Sequence, residues 1–470
     1  MSPRRRTASA SVATAAVIAL CAVVGVAPPA NAEPCEGAAA QAQPLPGQAF
    51  QIPSPSGISP FNRPIGHKPT GANDAAPTPK LGLLPALLKA LTPPAAPVQQ
   101  QAAVVPSPRP DGTVAQPSVA APAPVAAPAP VSAAPPGTSL VGWVTGPDSP
   151  NDTIKRFAIT GTDLGIMWDN GDPANNQVLM AFGDTNGYCG IPGKQWRYNA
   201  LFRSQDRSLA KTVAVPNGVV ANKYSGSPVW RPGISKQVVN TIGQAPQETG
   251  IIPTAGIAAG GKQYMNFMSI KSWDANGAWT TNYSAIAMSP DNGETWGVYP
   301  GTIRTPGAGN ENFQMGAFLK GGPGDQYLYS FGTPNGRGGS AYLARVAPSL
   351  IPDLTKYEYW NADGGAWVPG NPAAATPVIP GPVGEMSAQY NTYLKQYLAL
   401  YCNGANDVVM RTSPTPQGPW SPEQMLVSHM EFPGGIYAPY LHPWSTGKEL
   451  YYNLSLWSAY NVMLMHTVLP

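Results

Sequence analysis

From residue 139 onward the chain is built of short runs rich in Val, Ile, Tyr, Phe and Trp, each closed by Gly, Pro, Asn or Asp. No long stretch repeats its apolar residues at the 3.6-residue helical period, so β-structure is the expectation. Runs at 154–159, 177–182, 213–219, 264–270, 284–289, 327–333, 341–346, 393–401, 407–412, 449–456 and 462–468 read as strands. Turn signals such as Asp291-Asn292-Gly293, Asn335-Gly336 and Asp363-Gly364-Gly365 lie between them. An all-β domain over 139–470, roughly 330 residues, is too large for one sandwich and of a good size for a β-propeller.

What precedes this domain differs in kind. The first 32 residues carry Arg4, Arg5 and Arg6, an apolar stretch at 12–26 and the small-residue site Ala30-Asn31-Ala32, which together make a secretory signal peptide cleaved after Ala32. The stretch is short for a membrane span and prolines follow it, so release to the cell envelope or beyond is expected rather than a stable membrane anchor. Over 33–138 Pro, Ala, Val and Gln dominate, as in AQPSVAAPAPVAAPAPVSAAPPG, with too little apolar bulk to offset chain entropy. A disordered or extended linker is expected, with a short leucine-rich helix near 80–92 in KLGLLPALLKALTP. Loss of the signal peptide removes three arginines and no acid, so the formal charge falls from +3 to 0. Such a chain has no field for nucleic acid or an anionic membrane, and neither is an expected partner. Cys35, Cys189 and Cys402 remain, and in an oxidising compartment a disulfide between Cys189 and Cys402 is expected, with Cys35 left over.

Repetition supports a propeller. Segments at 177–206, 262–296, 326–346 and 395–420 share a plan of strand, turn, and a second strand that leads into an Asp- or Gly-containing turn and an aromatic. The sharpest case, SPDNGETW at 289–296, matches the Ser-x-Asp-x-Gly-x-Thr-Trp box and resembles the blade hairpins of sialidase-like propellers. Asp291 is expected to accept N–H bonds across its own turn while Trp296 packs between blades, so the box speaks for fold rather than catalysis.

Charged residues are only 11% of the chain, yet Asp163, Asp169, Asp172 and Asp184 fall together within 163–190. No Cys/His cluster, His-Glu-x-x-His, Gly-x-Ser-x-Gly or Gly-x-x-x-x-Gly-Lys occurs, so no metal or cofactor is expected and carboxylates are the better prospect. Glycosidic cleavage needs one carboxyl to protonate the leaving oxygen and another to attack or to activate water. Asp163 in ITGTDLGI and Asp184 in LMAFGDTNG each follow a run able to reach a propeller's channel, and Glu385 in GEMSAQYN is the third candidate, with Tyr390 and Asn391 just beyond. Asp169, Asp172, Asp206, Asp274 and Asp363 read as turn formers. Trp168, Trp196, Arg197, Asn199, Trp230 and Tyr437 are candidates for a sugar platform, although propeller cores need aromatics too. His442, in IYAPYLHP, sits among Pro and Tyr in the manner of a site floor, whereas His429 and His466 read as structural.

The elements ITGTDLGIMWDNG, LMAFGDTNG, WRYNALFRSQD, SPDNGETW and GEMSAQYNTYLKQYLALY together resemble a secreted actinobacterial family once catalogued as a domain of unknown function and now grouped with endo-D-arabinofuranases. The likeness spans 139–470. It implies a five-bladed propeller, similar to sialidases and arabinanases, that hydrolyses internal α-D-arabinofuranosyl bonds of mycobacterial arabinogalactan and lipoarabinomannan. By motif, the family's essential aspartates fall on Asp163 and Asp184. GEMSAQYN resembles inner strands of other arabinan-cleaving propellers, which keeps Glu385 as a third acid. The expected partner is therefore cell-wall arabinan, and the expected state a monomer. A non-catalytic glycan-binding propeller is the rival reading. A sialidase is less in keeping with IKRFAIT, which lacks the Arg-Ile-Pro opener. A purely structural wall protein does not account for the acid cluster.

Overall fold

The structure, a computed structural model, describes residues 137–187, 196–274, 278–432 and 434–470. The signal peptide, the linker up to residue 136, the leucine-rich island, Cys35 and Cys189 lie outside the described residues. The rest forms a five-bladed β-propeller. From the channel outward, the first blade contains Leu164–Asp169, Val178–Phe182 and Ala200–Ser204. The second contains Gly250–Ala259, Lys262–Trp273, Trp279–Ser289 and Gly297–Val298. Five strands make the third: Met315–Lys320, Leu328–Thr333, Tyr342–Val346, Glu358–Asn361 and Ala366–Pro369. The fourth is Met386–Asn391, Gln396–Cys402, Val408–Ser413 and Gln424–Val427.

The fifth blade closes the ring. Its inner three strands, Ile436–Leu441, Glu449–Leu456 and Asn461–Val468, come from one end of the domain, and its outermost strand, Gly137–Trp143, comes from the other. The pairing runs antiparallel from Gly137 opposite Val468 to Trp143 opposite Met463. Each innermost strand touches the innermost strand on either side, from the first blade round to the fifth and back, so the channel wall has no gap.

Blades adhere through their faces. Val178–Phe182 reads VLMAF and is buried at every position, the pattern of a strand covered on both sides. Leu179 and Ala181 enter a core shared with Ile251, Met265 and Phe267 of the second blade, while Val178, Met180 and Phe182 enter one shared with Val462 and Leu464 of the fifth. Each large apolar side chain buried this way contributes about 1.5–3 kcal/mol, which holds neighbouring blades together.

The box at 289–296 is a turn lock. Asp291 accepts from the Ser289 hydroxyl at 2.8 Å, the Thr295 N–H at 2.9 Å and the Thr295 hydroxyl at 2.6 Å, and the Trp296 indole donates to the Gly293 carbonyl at 3.1 Å.

Two expectations need correction. Residues 154–159 are not a strand: Thr153–Phe157 is a short α-helix that buries Ile154 and Phe157, three apart, and stops at Ala158 in the left-handed region (φ 52°). Residues 213–219 join no ladder, because a side chain takes over the pairing: Asn151 donates to the Val213 carbonyl and accepts from the Val215 N–H, both at 2.9 Å. Cys402, expected to pair with Cys189, is a free, buried thiol among the described residues, outside which Cys189 lies; its Sγ points at the Ile436 carbonyl, 3.9 Å away, in the core between the fourth and fifth blades.

Candidate active site

The innermost strand of the first blade begins with a kink. Leu164 and Gly165 both take left-handed backbone angles (φ 70° and 74°), and the ladder to the next strand slips between Leu164 and Ile166, a bulge. The fifth blade clamps it: Ser455 accepts from the Leu164 N–H at 2.8 Å and Asn453 donates to the Gly165 carbonyl at 2.8 Å. A Cβ on Gly165 would stand 2.6 Å from Asn453 Nδ2, so the glycine of TDLG is required by close approach as well as by φ. The neighbouring strand brings FGDT alongside. Gly183 N–H donates to the Asp163 carbonyl at 3.2 Å, and the Thr162 and Thr185 hydroxyls meet at 2.7 Å. A Cβ on Gly183 would collide with Asp163 Oδ1, so this glycine makes room for that carboxylate.

Asp163, 4% exposed, opens onto a narrow cleft at the end of the channel where the inner strands begin. Glu385 and Arg337 line the same cleft, with Trp273, Trp279 and Tyr440. Asp163 Oδ2 accepts the Tyr437 hydroxyl at 2.9 Å. Burial pushes the Asp163 carboxyl up to about 7; the Tyr437 bond opposes this, the charge of Glu385 adds to it, and Arg337 and the Tyr460 hydroxyl oppose it. Asp184, 2% exposed, is driven well above the usual carboxylate range by burial and then by the charge of Asp163. Both carboxyls are thus shifted toward the protonated form.

Glu385, from the start of the fourth inner strand, takes a forked contact from Arg337: Nη2 to Oε1 at 2.6 Å and Nε to Oε2 at 3.0 Å. The guanidinium also lies over the rings of Trp279 and Tyr437, 4.9 and 5.2 Å from their centroids. The cleft therefore joins a proton-bearing carboxyl to a carboxylate held by a cation.

Of the predicted residues, Asp163 and Glu385 line this cleft, Tyr437 bonds to Asp163, and Asp184 lies close enough for the charge of Asp163 to act on it. Others do not join them. Arg197 is buried and donates to the carbonyls of Phe157, Ala158 and Ser235, and Asn199 clamps the backbone at Val238, Val239 and Ile251, so both serve the framework rather than a ligand. Asn391 likewise ties Leu394 to Gly447. His442 is 1% exposed and accepts from the Trp444 N–H at 3.3 Å; burial lowers it to about 4, which keeps it neutral inside the fifth blade. Trp168 and Tyr390 line the opposite end of the channel, Trp196 packs edge-on against Tyr198, and Trp230 is exposed on a hairpin of its own. Asp172 and Asp206 hold turns as expected, accepting backbone N–H groups two or three residues on. Arg337, Trp279 and Tyr440 were not foreseen. An arginine amid the glycines of GTPNGRGGS, in a charge-poor chain, was the available signal. Among the described residues no group of three or more His, Cys, Asp or Glu is arranged to hold a metal ion.

The family described as "Domain of unknown function (DUF4185)" matches residues 148–466. Among curated proteins, Notoamide biosynthesis cluster protein J' of Aspergillus versicolor is 26% identical over 324 residues, 65% of this chain and 83% of that protein. Protein J of an Aspergillus species is 26% identical over 321 residues, 65% of this chain and 82% of its own. Among solved structures, the catalytic domain of the Coprinopsis cinerea GH62 α-L-arabinofuranosidase matches with a TM-score of 0.39 at 13% identity, covering 71% of this chain and 97% of that one. A family 117 glycoside hydrolase of Zobellia galactanivorans matches with a TM-score of 0.40 at 11% identity, covering 71% and 90%.

Proposed function

The chain belongs to the DUF4185 family, and from that premise we propose that it is a secreted glycoside hydrolase that cleaves internal α-D-arabinofuranosyl linkages of mycobacterial cell-wall arabinan. The observation that carries the reading is the meeting of Asp163 and Glu385 in one cleft, with Asp184 near enough to feel the charge of Asp163. The substrate rests on the likeness of TDLG, FGDT and GEMSAQYN to the endo-D-arabinofuranase family, and the compartment on the signal peptide.

Asp163 delivers a proton to the leaving glycosidic oxygen, since its carboxyl still holds one near neutrality. Glu385, oriented by Arg337, acts as base or nucleophile at the anomeric carbon, around an oxocarbenium-like transition state. Asp184, whose carboxyl burial and the charge of Asp163 raise well above its ordinary range, has a positioning role beside Asp163. Trp279 offers the sugar an aromatic face.

The test is oligosaccharide release from purified arabinogalactan by Asp163→Asn, Asp184→Asn and Glu385→Gln. Asp163→Asn and Glu385→Gln are expected to lose about 10²–10⁴-fold in rate. Near-normal release by Asp163→Asn sinks the acid assignment, and near-normal release by Glu385→Gln together with loss in Asp184→Asn makes Asp184 the second carboxylate. Binding of arabinan by the native chain without new reducing ends would identify a lectin instead.

A further inference from the structure

The channel has a second mouth, and it is the roomier one. Where the inner strands end, a chamber of ≈330 Å³ opens, against ≈30 Å³ for the acid cleft. Thr254 and Tyr440 line both spaces and form the waist between them. The proposed chemistry uses none of the larger chamber, yet its wall is built for a ligand of a definite kind. Trp168, Tyr390 and Trp444 supply aromatic surface, and Asp169, Lys320 and Gln389 supply polar groups.

Asp169, Trp444 and Gln389 are held by hydrogen bonds, whereas Lys320 is exposed. Asp169 accepts from the Gly171 N–H at 2.7 Å, from Asn176 Nδ2 at 2.9 Å and from the Trp444 indole, while Arg207 lies over the Trp444 ring at 4.1 Å. Against the effect of burial, the donors Trp444, Asn176 and Gly171 hold the Asp169 carboxyl below its ordinary value, and Lys320, reaching from the third blade, helps. One carboxylate and one ammonium leave the chamber without net charge, and no carboxyl there keeps a proton to donate. Gln389 donates through Nε2 to the Ser445 carbonyl at 2.7 Å, whereas its buried Oε1 has no partner in the protein. An acceptor of that kind calls for a donor from a ligand or water.

We propose that this chamber is a second carbohydrate site, which binds one or two rings of a neutral sugar chain and does not cleave them. Aromatic faces with planar polar side chains are what a neutral polyol needs: the rings cover its C–H faces, and Gln389, Asp169 and Lys320 meet its hydroxyls. The absence of net charge disfavours a phosphate or carboxylate ligand, and ≈330 Å³ lies within the usual range for small-molecule sites. The site would hold the enzyme on its polymer while the other mouth works. The inference does not depend on the acid cleft being catalytic, because binding is measured without turnover.

The experiment titrates the full chain carrying Asp163→Asn with a D-arabinofuranosyl hexasaccharide, by calorimetry and by tryptophan fluorescence. Two binding events are expected. Adding Gln389→Ala or Lys320→Ala should weaken one event by at least tenfold and leave the other in place. In an otherwise native chain the same two substitutions should leave oligosaccharide release from a short soluble substrate unchanged, which shows that the fold is intact. A single event untouched by either substitution, or no event at all, overturns the proposal.

Discussion

A carboxyl in water gives up its proton near pH 4, and Asp163 keeps its own to about 7 because burial penalises the charge. Its value in the folded chain lies above its value in the unfolded chain. The stability this contributes is therefore fully present below about pH 4, declines as pH rises, and is gone above about 7. The Tyr437 hydroxyl favours the charged form, so Tyr437→Phe should raise the carboxyl further and move the alkaline limb of kcat/KM to higher pH. An alkaline limb that stays where it was would show that Tyr437 does not act on Asp163. The acids of this site were legible as residues because carboxylates are scarce here: Asp163 and Asp184 each follow a run that could reach the channel, and Glu385 stands at the head of GEMSAQYN. Arg337 was not, since an arginine in a glycine-rich turn looks solvated until the turn folds back over Trp279. Arg197 and Asn199 were misread for the converse reason: forked donors suit sugars, but they suit orphaned backbone carbonyls equally well.

At the scale of elements, the site depends on two glycines in facing strands. Gly165 permits the kink that turns Asp163 to the channel, and Gly183 leaves space for its carboxylate. Gly183→Ala is expected to displace Asp163 while leaving the blade paired, and a misplacement of about 1 Å costs roughly 10²-fold in rate. Unchanged release with an unchanged melting temperature would refute that geometry. TDLG and FGDT could be recognised as motifs, but their strapping together through Thr162 and Thr185 could not. Short elements were misread where the local signal was too brief. The five residues of Thr153–Phe157 complete little more than one helical turn, and at 213–219 a side chain of Asn151 substitutes for a strand partner.

For the whole molecule, blades are held by polar keys as well as apolar faces. Arg203 of the first blade is fully buried and reaches the turn lock of the second, donating to the Asn292 carbonyl at 2.8 Å and pairing with Glu294 at 2.9 Å, which Lys236 also meets at 3.0 Å. Arg203→Met leaves Glu294 with Lys236, whose side chain is 22% exposed, as its ion-pair partner and should cost about 3 kcal/mol. In urea this would appear as a lower midpoint with the same slope; a midpoint within error of the native one would count against the key. Propeller class could be read from the short strands and the box at 289–296, whereas the blade number came only from the family likeness. The closing pair joins residues more than three hundred positions apart, as at Thr138 and Thr467, and no local pattern announces it. That closure also fixes how the molecule bears load. Gly137 and Val468 are opposite partners in antiparallel strands, so tension applied outward from these two points opens the seam rung by rung, as a zipper, instead of shearing all rungs at once. The seam of the ring is thus its mechanical weak point, well away from the channel that carries the acids.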